Sequence, residues 1–92
     1  MFISEKEDIY FITDSDGTIR WYKSYKLHRD TGPAVIYSGG TKVWYQEGKL
    51  HREDGPAVVY SNGVKYWYYH GKNLEVKTQK EFEKLIELKL FW

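Results

Sequence analysis

The chain has 92 residues, enough for one small domain that buries about 60 to 65 per cent of its unfolded surface and too few for two independent cores. Fourteen Lys plus Arg against thirteen Asp plus Glu leave a formal charge of +1, so no large field steers it toward nucleic acid or an anionic membrane. Cysteine is absent, which excludes a disulfide framework, a thiolate zinc site and a cysteine nucleophile and fits a reducing compartment.

No apolar run approaches the roughly 20 residues that span a bilayer. The acidic start, with Glu5, Glu7 and Asp8, is unlike a signal peptide, so a cytoplasmic protein with no membrane partner is expected. The excess is aromatic: nine Tyr and four Trp bring Phe, Trp and Tyr to 18%.

Along the chain these aromatics recur. His28-Arg29-Asp30-Thr31-Gly32-Pro33-Ala34-Val35 returns as His51-Arg52-Glu53-Asp54-Gly55-Pro56-Ala57-Val58, an offset of 23 residues. The same offset carries Trp21 to Trp44 and Trp67, Tyr22 to Tyr45 and Tyr68, and Gly17 to Gly40 and Gly63. Residues 28–50 and 51–73 share fourteen identities, so three units are present, the first atypical at its front and a fourth abandoned at Leu74. Outer units of a stacked array lack a neighbour and are expected to differ.

Turn chemistry divides each unit into hairpins. Ser15-Asp16-Gly17, Ser38-Gly39-Gly40 and Ser61-Asn62-Gly63 lie between Val-, Ile- and Tyr-rich runs and predict tight two-residue turns with left-handed residues. A second turn is expected after each Trp-Tyr pair, at Glu47-Gly48-Lys49 and His70-Gly71-Lys72. Strands are predicted over 8–13, 18–23, 34–38, 41–46, 49–52, 57–61, 64–69 and 72–76, with Pro33 and Pro56 opening theirs. Thr78-Gln79-Lys80-Glu81 fits a capping box, and Phe82, Leu85, Ile86 and Lys89 follow at helical spacing, so a helix is predicted over 78–91. The expected fold is mainly β: an antiparallel hairpin meander of three units over 8–76, closed by one C-terminal helix, in a single domain 1–92. The helix is expected to cover one face or one end of the sheet.

Adjacent Trp and Tyr on a strand point to opposite faces, so each face carries an aromatic row. The Trp row is expected to pack under Lys and Arg stems of the next unit. Exposed Tyr and Arg on a rigid sheet are the material of binding hot spots, which singles out Tyr22, Tyr45, Tyr68, Arg29 and Arg52 as candidate partner-binding residues.

The His-Arg-Asp cluster admits sharper chemistry. His28, His51, Asp30 and Asp54 are metal-ligating types, but their spacing is the repeat period and no zinc signature. A His base with an Asp orienter would suit catalysis, yet an enzyme needs one pocket with distinct roles and here one cluster occurs twice. No catalytic residue, metal or cofactor is assigned. Arg with Tyr rows would suit single-stranded nucleic acid, against which stand the near-zero charge and acidic neighbours. The structural reading has Asp capping its own turn, Arg pairing with that Asp or lying over Trp, and His bridging turns by hydrogen bonds.

Trp44 to Ala57 reads Trp-Tyr-x-x-Gly-Lys-x-His-Arg-x-Asp-Gly-Pro-Ala, and with the Tyr60 to Gly63 turn it resembles a MORN repeat, a hairpin module that stacks into an elongated sheet. It is closer to the MORN-like variant in small proteins of tailed bacteriophages and other large DNA viruses, and the likeness covers about residues 9–83. MORN units usually place Gly shortly after the His and carry Tyr-x-Gly-x-Trp, which this chain lacks. The resemblance implies protein interaction during infection and supplies no catalytic or ligand residues. The reading is a non-enzymatic protein-binding module, a phage accessory protein that binds and modulates a host defence or nucleic-acid-processing factor. Single-stranded nucleic-acid binding and a self-assembling structural repeat are the alternatives, the latter because a sheet ending at residues 8–12 has an edge that a second copy can pair with.

Overall fold

The computed structural model describes residues 9–88. Eleven short strands precede one helix: β1 Ile9–Thr13, β2 Ile19–Lys23, β3 Lys26–Leu27, β4 Val35–Ile36, β5 Lys42–Val43, β6 Tyr45–Gln46, β7 Lys49–Leu50, β8 Val58–Val59, β9 Lys65–Tyr66, β10 Tyr68–Tyr69, β11 Lys72–Asn73 and α1 Gln79–Leu88. All strand pairs are antiparallel. The main sheet runs β1-β2-β4-β5-β8-β9, with β3 folded onto β2 and two further hairpins, β6-β7 and β10-β11, beside it. The meander with a closing helix is therefore present, as a slab 45 × 33 × 16 Å in extent.

The predicted strands 41–46 and 64–69 each divide at the tryptophan. Trp44 donates its main-chain N–H to the Ala57 carbonyl at 2.7 Å and accepts the His51 N–H on its own carbonyl at 3.1 Å. Residues before it thus pair with the next unit's strand, and residues after it fold back into a private hairpin. Trp21 does the same with Ala34 and His28.

The Ser-x-Gly turns differ from the expected two-residue type. At Ser38-Gly39-Gly40 only Gly40 is left-handed, and Tyr37 accepts the Gly40 N–H and donates to the Thr41 carbonyl, both at 2.9 Å. This is a three-residue loop closed by a left-handed Gly, repeated at Gly17 and Gly63. In the first and third units the side chains of Asp16 and Asn62 reinforce this loop by accepting the N–H two residues on, from Thr18 at 2.9 Å and Val64 at 3.1 Å. The mirror-image two-residue turn occurs instead after each Trp-Tyr pair, where Glu47-Gly48 and His70-Gly71 are both left-handed.

Side chains alternate as predicted. One face carries Tyr22, Tyr45 and Tyr68 around a small core of Val35, Val43 and Val58, with Leu27 and Leu50 packed against it. The opposite face carries the Trp row. Thr18 and Thr41 tie neighbouring units by accepting the Ser38 and Ser61 N–H groups at 3.2 and 3.3 Å.

The helix opens on the predicted capping box: Thr78 Oγ1 accepts the Glu81 N–H, and Glu81 accepts the N–H groups of Lys77 and Thr78, which holds its carboxyl below the usual range. It buries Phe82 on the Trp side, beside Tyr69. The predicted helical continuation at Lys89, Leu90 and Phe91, and the strand start at Asp8, lie outside the described residues.

In the first unit Ser24 and Tyr25 occupy the turn that Glu47-Gly48 fills in the second, and both are left-handed with φ of 51° and 69°. A left-handed non-glycine costs roughly 1–2 kcal/mol. Tyr25 meets Tyr10 edge-on at 6.5 Å. Gly48→Ala, at φ 83°, is expected to lower stability by about 1–2 kcal/mol in urea denaturation.

Candidate functional site

The His-Arg segments of the second and third units lie side by side and frame a groove of about 640 Å³ between Arg29, Asp30, Trp44, Arg52 and Asp54. Its chemistry is spoken for. His28 and His51 are only 5% and 8% exposed. Each Nδ1 accepts a main-chain N–H at 2.9 Å, from Glu47 and His70 respectively, so the proton of the neutral ring sits on Nε2. Nε2 then donates to a carboxylate, Asp30 at 2.9 Å or Glu53 at 3.2 Å. The histidines bridge turns, as the structural reading expects.

The arginines are equally committed. Arg29 lies 4.3 Å from the Trp21 ring centre and Arg52 3.9 Å from that of Trp44. Their Nη1 groups donate to the Pro33 and Pro56 carbonyls at 3.2 and 3.1 Å, and Arg52 Nε also donates to Asp54 at 2.9 Å. These guanidinium groups are structural, each closing one unit over the Trp of the one before. Asp30 and Asp54 do not cap their turns as expected: they take the His28 and Arg52 donors instead. A Cβ at Gly55 would stand 2.6 Å from the Arg52 guanidinium carbon and displace that group from its place, against 3.3 Å for Gly32 and Arg29.

The third tryptophan has Glu75 where the series would place an arginine. Helix α1 takes over: Trp67 Nε1 donates to Gln79 at 2.7 Å, and Gln79 donates to the Glu53 carbonyl at 3.0 Å. Among the described residues no group of three or more His, Cys, Asp or Glu is arranged to hold a metal ion, and no helix is long and apolar enough to cross a membrane.

The five candidate binding residues consequently separate. Arg29 and Arg52 lie on the Trp side, and Tyr22, Tyr45 and Tyr68 on the other, all half-buried. Tyr22 stacks on Tyr10 at 5.3 Å, while Tyr45 and Tyr68 lean on the valine core. Between the last two runs a shallow groove of about 420 Å³, edged by Tyr37, Tyr60, Val43 and Val58. Tyr37, Tyr60 and Tyr66 are more exposed than Tyr22, Tyr45 and Tyr68, and Tyr60 meets Tyr66 edge-on at 6.0 Å. Alternation along the strands places them on this face, but the repeated Trp-Tyr pair drew attention away from them.

None of the phenols of Tyr22, Tyr37, Tyr45, Tyr60, Tyr66 and Tyr68 makes a hydrogen bond among the described residues, and no described buried side-chain polar atom lacks a partner, so their hydroxyls reach the surface. Burial, with Tyr37 and Tyr68 nearby, raises the Tyr45 phenol above its ordinary pKa, so it is a neutral donor at physiological pH.

Two outcomes are expected. Burial lowers the His51 pKa, against the Glu53 hydrogen bond that raises it. The folded state therefore resists a proton that the unfolded chain accepts near 6.5, so urea stability should be full above that pH and decline as pH falls from it toward the lowered folded value. His51→Gln should flatten that slope. Gly55→Ala should cost about 1–2 kcal/mol by displacing a stacked guanidinium, and Gly32→Ala less, both read from denaturation midpoints. Comparison with known protein families, curated proteins and solved structures finds no match for this chain.

Proposed function

We propose that this chain is a non-enzymatic protein-binding module that reads its partner with the tyrosine face. The observation that carries the reading is the contrast between the two faces. On the Trp side the His and Arg groups that look chemically active are engaged by the fold itself: both ring nitrogens of each His are bonded, and each guanidinium lies on a Trp and donates to a Pro carbonyl. On the other, a row of phenols lies on a packed valine layer with hydroxyls turned to solvent. Tyr offers large apolar area and a polar tip at low entropic cost, which is why it dominates interface hot spots.

Tyr45 and Tyr68 supply the floor, Tyr37, Tyr60 and Tyr66 the rim, and Tyr22 extends the row toward β1. Arg29 and Arg52 act indirectly, by fixing the spacing of the units. The MORN-like resemblance adds direction to this reading: a phage accessory protein that captures and modulates a host protein.

Affinity capture by the tagged chain from a nuclease-treated bacterial lysate tests it, with Tyr37→Ala/Tyr60→Ala as the control. One protein at near-stoichiometric amount, lost with the double variant while its circular dichroism melt is kept, is the expected result. Tyr45→Ala is a poorer probe, since truncating a ring that packs on the core should itself cost about 2–3 kcal/mol. Oligonucleotide binding that weakens steeply with salt would assign the face to single-stranded nucleic acid instead.

A further inference from the structure

Among the described residues the two ends of the main sheet are unpaired edges, and the repeat itself specifies what complements them. Inside the array, the strand before each tryptophan pairs outward with the next unit: Lys42 opposes Val59 and Val43 opposes Val58, and the Trp44 N–H reaches the Ala57 carbonyl. The third unit has the same strand, β9, but residues 77 onward turn into α1 instead of returning. Lys65 is therefore left with its main-chain groups facing outward, because Tyr66 uses its own toward Val58. Among the described residues the Trp67 N–H has no acceptor, and a groove of about 540 Å³ lies there between Trp67, Tyr66, Glu75 and Val76.

At the opposite end, β1 stands where β4 and β8 stand in their units, since positions 12 and 13 lie 46 residues before 58 and 59. Its inner edge pairs with β2, with Ile12 opposite Arg20 and Thr13 opposite Ile19. Alternation turns the main-chain groups of Phe11 and Thr13 outward, toward the place of a preceding unit, and no described strand pairs there. The Phe11 side chain, on the Trp side against Trp21 at 4.8 Å, is 55% exposed.

We infer that β9 of one copy pairs with β1 of a second copy, head to tail, in the register of the interior units. Lys65 opposes Thr13, Tyr66 opposes Ile12, and the Trp67 N–H donates to the Phe11 carbonyl. Phe11 takes the position that Ala34 and Ala57 hold between tryptophans, and the open groove gives it room that a closed contact would not. The interface is heterologous and repeats the step between the units of one chain, so association adds copies in a row and extends the tyrosine face from one copy into the next. It stands independently of what that face binds.

The test uses two proline variants of the purified chain. Thr13→Pro and Lys65→Pro each remove an outward N–H that the single chain does not use and obstruct one edge. In sedimentation equilibrium the natural chain is expected to gain mass continuously with concentration, each variant alone to remain monomeric, and an equimolar mixture of the two to form dimers and nothing larger. A monomeric natural chain at millimolar concentration, or a variant that still associates alone, overturns the inference. Should either proline unfold the chain, Ile12→Cys and Tyr66→Cys replace them, because a non-hydrogen-bonded pair about 4.5 Å apart at Cα suits a disulfide and the chain has no other Cys. Mixed oxidation should then give the heterodimer well above the statistical share, and a statistical or absent cross-link overturns the inference.

Discussion

Each joint of this fold is made at a tryptophan. Its main-chain N–H goes to the following unit's Pro-Ala segment, its carbonyl takes the following unit's His N–H, and its ring receives that unit's arginine. Three attachments of different kinds converge on one residue, and together they fix translation, tilt and register between units. Among the described residues the buried apolar core is three valines, two alanines, Trp67 and Phe82, which is small, so much of their order comes from such joints. The histidine completes the arrangement. Buried, with Nδ1 accepting a main-chain N–H, it clamps the left-handed turn that follows each Trp-Tyr pair.

The ends of the array show what happens when a joint lacks a partner. The third tryptophan has no arginine, and a helix supplies Gln79 for its indole and Phe82 for the surface beside it. Val64 stands where the first two units carry the threonines whose hydroxyls bind the next unit's turn. At the first unit Phe11 replaces alanine and packs on Trp21, while Asp14 and Arg20 form an ion pair at the positions held by Tyr60 and Tyr66 in the third. Charge therefore occupies one end of the tyrosine face and aromatic rings the other.

This division of labour bears on function. Residues whose chemistry suggests a site, the paired His, Arg and Asp, are consumed in holding units together, and their recurrence with the period is the mark of that use. The residues left to meet another molecule are those the fold supports without engaging their polar tips. The phenols lie on one face of a thin sheet, and the extent of that face is set by how many units lie in a row.

The sequence by itself determined the unit, the alternation of Trp and Tyr across the sheet and the capped helix, because period, β-alternation and capping chemistry are local properties of the chain. The capping box at Thr78 and Glu81 and the face shared by Val43 and Tyr45 are legible in this way. Only the tertiary structure decided where the strands break, which turn is the mirror-image one and which polar groups are already used. Those depend on partners 17 to 20 residues away, such as the Glu47 N–H on His28 and the Ser38 N–H on Thr18. The candidate site was legible in half for the same reason. Periodicity identified Tyr22, Tyr45 and Tyr68 but could not say that Arg29 and Arg52 stack on the far face, since a guanidinium finds its tryptophan through space and not through spacing.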